Sequence, residues 1–373
     1  MGCQDDWPAM ADGSQYDGKQ LITLVREGKS PFQGLWNVNL LIQEIEKHIG
    51  SQVVDIPAVE KGSNNYGFHI KTSGGPDMIA RLSRSDVNMP HFDGFPVEAQ
   101  ASEAIFEAAV YNMLCIEPEI LTSRLLYHRG PVLYSSPTDS IPQDLAGRRL
   151  FLFEKADGEK NVWKKLNATH KIHLLDQLAN IRASLFRYNP PPSFMTRYFL
   201  SRVFEFMPET LSVPVSPTRE FLMYVMESKI NATIRTEGDM IGWEGDNETV
   251  GPVALKAKET LLRALPHIMP LDHPDGCLYR LVLEHGDFGI HNTTINHLTN
   301  ETPLVTSLYD WETGCIVPAI LSDPLVAVSP VDLTAGKNGE PSVTRLSEDD
   351  TKSDLETYTA WARHYIQVRC YTS

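Results

Sequence analysis

The chain has 373 residues, 42% of them hydrophobic, and a formal net charge of -15. The acidic balance argues against nucleic acid as a partner, because nucleic-acid-binding proteins present a basic face. No apolar run approaches the roughly 20 residues that a membrane-spanning helix needs, so we expect no membrane insertion. The N-terminus lacks a secretory pattern and the five cysteines are scattered, which predicts free thiols and a cytoplasmic protein.

Three strand patterns surround the most informative polar residues of the chain. An apolar run at 281–283 predicts a buried strand, and 293–296 and 304–309 predict two further strands joined by a polar turn. If the last two pair antiparallel, the start of the first lies beside the end of the second. Asn292 and Asp310 occupy those two places, so the hairpin would bring them together.

The residue types at this point suit phosphoryl transfer. An amide oxygen and a carboxylate are hard ligands of the kind that Mg²⁺ prefers when phosphate oxygens complete its shell. Asp287, five residues before Asn292, would face the same place and could accept a proton from an attacking hydroxyl. The alternative is that a Gly-Asp turn and an Asp-Trp strand end are ordinary loop chemistry.

The sequence His285-Gly286-Asp287-x-x-x-x-Asn292, followed by Asp310-Trp311-Glu312, resembles the catalytic and metal-binding loops of the aminoglycoside phosphotransferase family. Members of this family share the protein-kinase-like fold with choline kinases. The resemblance implies an α+β, bilobal protein-kinase-like fold, with a sheet-rich N-lobe and a helical C-lobe. It also implies ATP and magnesium as cofactors, with Asn292 and Asp310 as metal ligands and Asp287 as the catalytic base.

The family also has nucleotide-binding residues in its first lobe, and this chain matches them less closely. The resemblance implies that the loop at Gly62, Ser63 and Asn64 covers the ATP phosphates, although two glycines in a hairpin more often mark only a turn. The strand pattern at 78–82 has Arg81 where the family has its phosphate-binding lysine. Arginine keeps the positive charge but has a longer, planar head group.

An amphipathic helix predicted over 95–114 would carry the carboxylate that orients this cation. The match to the family's helix selects Glu107, with Glu103 one turn earlier as the alternative. The apolar strand at 150–153 resembles the hinge of the family, which implies adenine contacts to the backbone near Glu154 and Ala156.

We expect three segments: an N-terminal helical extension at 1–50, a nucleotide-binding N-lobe at 51–156, and a catalytic and acceptor-binding C-lobe at 157–373. Thr169 is predicted to cap a helix that runs to Arg187. An acidic segment at 235–248 could bind an amine but is more simply a solvated loop, and 335–349 is predicted to be a loose loop. Asp323 fits by position the aspartate with which the family braces its catalytic loop.

The function that we predict is transfer of the γ-phosphate of ATP to a hydroxyl of a small molecule, which could be cationic because the chain is acidic. Two alternatives remain: a pseudokinase that serves as an interaction module, and a kinase-fold enzyme that uses ATP for another product. A protein-kinase role is the least favoured, because no Ala-Pro-Glu-like segment follows Asp310.

Overall fold

The chain forms two compact units in the computed structural model. The first comprises 1–112 and 123–156, and the second 113–122 and 157–373. The residues that the structure describes are 7–10, 12–84, 97–131, 145, 147–203, 208–234, 251–271, 278–297, 302–322, 332–335, 340–345 and 351–371.

The first unit is a five-stranded antiparallel sheet with one long helix inserted between its third and fourth strands. The sheet order is β1-β2-β3-β5-β4. Its elements are α1 (Leu21–Arg26), α2 (Val38–Ile49), β1 (Val53–Lys61), β2 (Asn65–Thr72), β3 (Met78–Ser83), α3 (Val97–Leu114), β4 (Leu125–Arg129) and β5 (Leu150–Glu154).

Alternation along β3 explains how this strand orients its one charged residue. Met78, Ala80 and Leu82 are buried in the main core of the first unit, as period-two patterning requires. Arg81 therefore lies on the opposite face, where its register partner on β5 is Phe151. The predicted strand at 78–82 is confirmed.

The N-terminal segment contributes to this same core. Phe32 and Trp36 pack closely with tilted rings, whose centroids are 4.5 Å apart, and both are buried in the cluster that contains the β2 residues Tyr66 and Phe68. The helix α2 begins at the side chain of Asn37, which accepts a hydrogen bond from the backbone of Asn39, and it ends at a left-handed glycine.

The second unit is mainly helical, with three short strand pairs. Its elements are α4 (Ala168–Arg187), α5 (Pro192–Tyr198), α6 (Arg219–Thr233), α7 (Gly251–Ile268), β6 (Leu281–Glu284), β7 (Thr293–Asn296), β8 (Leu304–Leu308), β9 (Cys315–Pro318), β10 (Asp332–Ala335), β11 (Pro341–Arg345) and α8 (Lys352–Tyr371). The pairs β6–β9, β7–β8 and β10–β11 are all antiparallel.

Two local predictions in this unit were wrong. The cap of α4 is Asn167, whose side chain accepts from the N–H of His170, and Thr169 lies inside the helix. The segment predicted as a loose loop at 335–349 contains β11, which pairs with β10 just before it. The acidic segment at 235–248 and Asp323 lie outside the described residues. Among the helices described, none is long and apolar enough to cross a membrane.

These elements confirm the predicted α+β class, with a sheet-rich first unit and a helical second unit. The order of elements is that of the protein-kinase-like fold, in which a helix follows the third strand of the sheet and the catalytic hairpin lies in the helical part.

Candidate active site

The hairpin β7–β8 brings Asn292 next to the residue that precedes Asp310. Thr293 pairs with Leu308, and the N–H of Tyr309 donates to the carbonyl oxygen of Asn292 at 3.0 Å. The predicted antiparallel pairing is therefore confirmed. Asp310 adopts left-handed backbone angles, with φ 68 and ψ 59, and the chain then turns into a short 3-10 helix. Aspartate is among the few non-glycine residues that tolerate this conformation.

The turn before Asp287 packs tightly against the turn after Asp310. Gly286 has φ +80, and a Cβ atom built there would lie 2.2 Å from the carbonyl oxygen of Thr313. The hydroxyl of Thr313 in turn donates to the carbonyl oxygen of His285 at 3.2 Å. Only glycine allows this approach, so the two loops hold one another in register.

His285 joins these two loops as a neutral side chain. It is 1% exposed, and burial lowers its pKa to about 4. Its Nε2 lies 2.9 Å from the carbonyl oxygen of Tyr309, which can only accept, so Nε2 carries the proton. Its ring also packs on Trp311, with centroids 4.5 Å apart. His285 therefore bonds directly to the residue before Asp310.

Asp287 is exposed and is held by two neighbours in the same loop. The amide nitrogen of Asn292 donates to its carboxylate at 3.1 Å and to its backbone carbonyl at 2.9 Å. Nε2 of His291 lies 3.1 Å from the same carboxylate oxygen. Burial raises the pKa of Asp287, but the hydrogen bond and charge of His291 and the bond from Asn292 outweigh it, so its pKa is lowered. Asp287 is therefore a carboxylate at neutral pH.

The side chains at this point fit a magnesium ion. Because both bonds from Asn292 to Asp287 use its amide nitrogen, its Oδ1 is left as the atom that can bind a cation. Asp310, one residue beyond the paired Tyr309, would add its carboxylate. In the described part of the chain no cluster of three His, Cys, Asp or Glu forms a complete protein cage. Magnesium suits such a sparse oxygen set, because it keeps waters and phosphate oxygens as its other ligands.

Arg202 supports this region and was not singled out from the sequence. Its guanidinium donates to the carbonyl oxygen of Glu312 at 3.2 Å and to that of Gly314 at 3.1 Å. Both carbonyls belong to the turn that follows Asp310. Arg202 follows α5 in the chain, more than a hundred residues earlier, so no local pattern indicates the contact. His291 was also missed, although its i,i+4 spacing from Asp287 was visible.

In the first unit, Arg81 and Glu107 form a buried ion pair. Glu107 is 1% exposed, and a carboxylate that deep requires a cation beside it. The guanidinium of Arg81 also stacks over the ring of Phe151, with its carbon 5.0 Å from the centroid. The structure thus brings Arg81 to Glu107, the residue preferred over Glu103.

The loop at Gly62, Ser63 and Asn64 is the tight connection between β1 and β2. The N–H of Gly62 donates to the carbonyl oxygen of Asn65 at 2.9 Å. A Cβ atom at Gly62 would lie 2.9 Å from that same oxygen, which explains the glycine. Arg84, absent from the sequence-based prediction, contacts the carbonyls of this loop.

The expected hinge residues lie where the first unit ends. The carboxylate of Glu154 pairs with Arg124 at 2.8 Å, and its backbone N–H donates to the carbonyl oxygen of Arg124. The N–H of Lys155 donates to the carbonyl oxygen of Asp77. Ala156 is the last residue of the unit. Two of the three N–H groups at 154–156 are therefore bonded to residues beside the neighbouring strands.

The first unit has a sheet with an inserted helix and an Arg–Glu pair, and the second has the loops of Asp287, Asn292 and Asp310. These are the features of a protein-kinase-like fold. No family model matches the sequence, and no curated protein matches it.

Several solved structures are similar at low identity. Amicoumacin kinase hAmiN is 14% identical over 89% of this chain and 78% of its own, with a TM-score of 0.41. The spectinomycin phosphotransferase APH(9)-Ia is 10% identical over 90% and 86%, with a TM-score of 0.37. The macrolide 2'-phosphotransferase MphH from Brachybacterium faecium is 13% identical over 90% and 88%, also with a TM-score of 0.37. These scores are too low to support a functional inference, which depends on the residues of the chain itself.

Proposed function

We propose that this protein is a small-molecule kinase that transfers the γ-phosphate of ATP to a hydroxyl group of its acceptor. The observation that carries the proposal is the arrangement of Asp287, Asn292 and Asp310. The side-chain amide of Asn292 positions the carboxylate of Asp287 and leaves its own oxygen for a cation. Asp310, a second carboxylate, directly follows the residue whose N–H bonds to the backbone of Asn292. Phosphoryl transfer needs these groups, because it depends chiefly on positioning and charge neutralisation.

Asp287 acts on the acceptor in this proposal. Its carboxylate accepts a hydrogen bond from the acceptor hydroxyl and takes the proton as the new O–P bond forms. The bond between the γ-phosphorus and the bridging oxygen breaks, and ADP leaves with that electron pair. The lowered pKa of Asp287 favours a carboxylate that orients the hydroxyl first and takes the proton late.

Asn292 and Asp310 would hold magnesium, and His285 keeps their two loops together. Magnesium, when bound, neutralises charge on the β- and γ-phosphates. His285 bonds to the carbonyl of Tyr309, the residue before Asp310. It would therefore position Asp310 as a metal ligand without contacting the reacting atoms.

The nucleotide-binding residues that we propose lie in the first unit. Arg81, oriented by Glu107, is suited to contact a phosphate oxygen, and Gly62, Ser63 and Asn64 would offer backbone N–H groups. At the hinge, Glu154 takes part through its backbone, and Ala156 is the strongest candidate for adenine. Its N–H has no partner among the described residues, whereas those of Glu154 and Lys155 are bonded to residues beside the neighbouring strands.

The acceptor that we propose is a small hydroxylated molecule, and a cationic group would suit it. The chain carries a net charge of -15, which attracts cations toward its surface. The second unit also has an open surface groove of about 530 Å³ along α6, whose charged lining residues are Arg219, Glu220 and Glu227. That volume is in the range of small-molecule sites.

The test is a screen of hydroxylated small molecules, half of them with an amino group, incubated with the protein and Mg-ATP. We expect one chemical class to gain the mass of a phosphoryl group while ADP appears in equal amount. Binding of Mg-ATP with no phosphorylated product across the panel would favour a pseudokinase, for which Arg81 in place of lysine is the specific motive. Release of AMP and pyrophosphate would indicate a different ATP-dependent reaction.

A further inference from the structure

Arg84 contacts three consecutive carbonyl groups of the β1–β2 turn. A single guanidinium nitrogen, Nη1, donates to the carbonyl oxygen of Gly62 at 2.9 Å and to that of Ser63 at 3.0 Å. The backbone N–H of Arg84 donates to the carbonyl oxygen of Asn64, also at 2.9 Å. Arg84 lies directly after β3, so one residue of the neighbouring strand end binds the whole turn.

These contacts determine where the N–H groups of the turn point. In a trans peptide the C=O and the following N–H point in opposite directions. Because the carbonyls of Gly62 and Ser63 converge on one nitrogen, the N–H groups of Ser63 and Asn64 both point away from it. Successive N–H groups directed to one side form a concavity that binds anions.

Arg84 is itself held by a buried neighbour. Nη1 of Arg148 donates to the carbonyl oxygen of Ser83 at 2.7 Å and also to that of Arg84. Arg148 and Ser83 are both buried, and the hydroxyl of Ser83 accepts from the N–H of Arg149 at 2.9 Å. The backbone of Arg84 is therefore fixed to the sheet, and its side chain extends from a rigid base.

We propose that Arg84 is a positioning residue for nucleotide phosphates: it fixes the carbonyls of the β1–β2 turn and thereby presents the N–H groups of Ser63 and Asn64 to a phosphate. This inference rests on the proposed function, which assigns the turn to ATP. Arg84 acts through the turn and does not touch the nucleotide. Its contribution should be specific to the phosphates, since the adenine contact that we propose is at Ala156.

The first experiment compares the binding of Mg-ATP and of adenosine by calorimetry to the wild type, Arg84→Met and Arg26→Met. Methionine keeps an unbranched apolar stem without the donors, and Arg26, exposed at the end of α1, controls for the loss of one charge in the same unit. We expect Arg84→Met to bind Mg-ATP roughly tenfold more weakly, the scale of a lost charge-assisted hydrogen bond. Adenosine binding should be unchanged, and Arg26→Met should match the wild type for both ligands.

The second experiment separates positioning from direct phosphate contact. Ser63→Pro removes one N–H of the turn and leaves the carbonyls in place. If Arg84 acts through the turn, the double variant binds Mg-ATP no more weakly than the weaker single variant. Fully additive losses would overturn the proposal, because they would mean an independent contact between Arg84 and phosphate. Thermal melts of all variants verify that each is folded.

The outcomes distinguish this inference from the function on which it rests. If the wild type binds Mg-ATP and Arg84→Met binds it equally well, the inference is wrong and the proposed function stands. If Arg84→Met weakens adenosine as much as Mg-ATP, the effect is not specific to phosphate and the inference is likewise wrong. If the wild type binds no Mg-ATP, both the inference and the proposed function are overturned.

Discussion

His285 is buried as a neutral imidazole, and this makes the stability of the protein depend on pH. Its pKa is about 4 in the folded chain against an ordinary value of 6.5. As pH falls below 6.5, the unfolded chain takes up the proton first, so folding loses free energy until the folded pKa is reached. The contribution of His285 to the free energy of unfolding is thus fully present above pH 6.5. It falls by about 3 kcal/mol as the pH is lowered toward 4.

We therefore expect the free energy of unfolding of the wild type to fall by about 3 kcal/mol more than that of His285→Asn between pH 6.5 and pH 4. Asparagine is uncharged across this range, so the difference isolates the titration of His285. Denaturant unfolding of both proteins at a series of pH values measures it. Parallel curves for the two proteins would mean that His285 is not neutral and buried as described.

The ion pair of Arg81 and Glu107 yields a second prediction at the residue scale. Glu107→Gln leaves the Arg81 charge, which is largely enclosed, without its carboxylate partner, and breaking such a pair costs on the order of 3 kcal/mol. Glu103→Gln, on the same helix, removes the same charge one turn earlier and should cost less than Glu107→Gln. Chemical denaturation checks both variants. A larger loss for Glu103→Gln would show that the wrong carboxylate was paired with Arg81.

Candidate site residues could be predicted where they form a motif with a fixed spacing in the sequence. They could not be predicted where their role depends on a contact with a distant segment. The pattern 285–292 and the strand lengths that follow it predicted that Asn292 would lie beside the chain at Asp310, and the bond from Tyr309 to Asn292 agrees with this placement. Arg84 and Arg202 were missed because both bind backbone carbonyls. Every residue has a backbone carbonyl, so the sequence does not indicate which one a side chain will bind. The preference for Glu107 came from the family resemblance, since helical periodicity alone left Glu103 equally suitable.

At the scale of elements, the close packing of the 285–287 turn against the 311–313 turn predicts a sharp effect of adding one methyl group. Gly286→Ala would combine a left-handed conformation with a Cβ atom 2.2 Å from the carbonyl oxygen of Thr313. We expect a loss of about 3 kcal/mol in the free energy of unfolding.

Gly28→Ala is the matched control for this change. Gly28 also has a positive φ, of +70, but a Cβ atom there would meet nothing within 4 Å. It should cost only the backbone strain, about 1 kcal/mol. Thermal and denaturant unfolding of the two variants give the comparison. Equal losses would mean that the two loops are not in contact.

Helices and strands with a clear hydrophobic pattern were predicted to within a few residues. Polar strands that are stabilised mainly by pairing with each other were not predicted. The hairpin strands were predicted at 293–296 and 304–309 because turn residues separate the two runs, and the structure has them at 293–296 and 304–308. The start of α4 was misassigned by two residues, since Asn167 and Thr169 are both good caps and only the path of the preceding chain decides between them. The pair β10–β11 was missed because both strands are short and polar, and they pair only with each other.

At the scale of the whole molecule, the proposal requires nucleotide and metal to bind together and to stabilise the folded chain. Magnesium and ATP at about 100 times their dissociation constant should raise the free energy of unfolding by about 2.7 kcal/mol. Removing the metal with EDTA in the presence of ATP should abolish most of this gain, and Asp310→Asn should show little of it. Thermal unfolding measures all three. Equal stabilisation by ATP with and without magnesium would contradict the metal site at Asn292 and Asp310.

The two-unit organisation follows from the order of elements, but the extent of each unit does not. The N-terminal segment was treated as a separate extension, whereas Phe32 and Trp36 are buried in the same core as the β2 aromatic residues. The unit limits also depart from sequence order, because 113–122 belongs to the second unit. Contacts between distant segments decide both points, and no local pattern records them.

The most direct test of the central claim is the turnover of Asp287→Asn, measured with the acceptor found in the screen and compared with Asp17→Asn as an exposed carboxylate control. The amide of Asn292 can still bond to the substituted side chain, so Mg-ATP binding should be within about twofold of the wild type. Turnover should fall by at least about a hundredfold, because the group that takes the proton of the acceptor is lost. Wild-type turnover in Asp287→Asn would contradict the account.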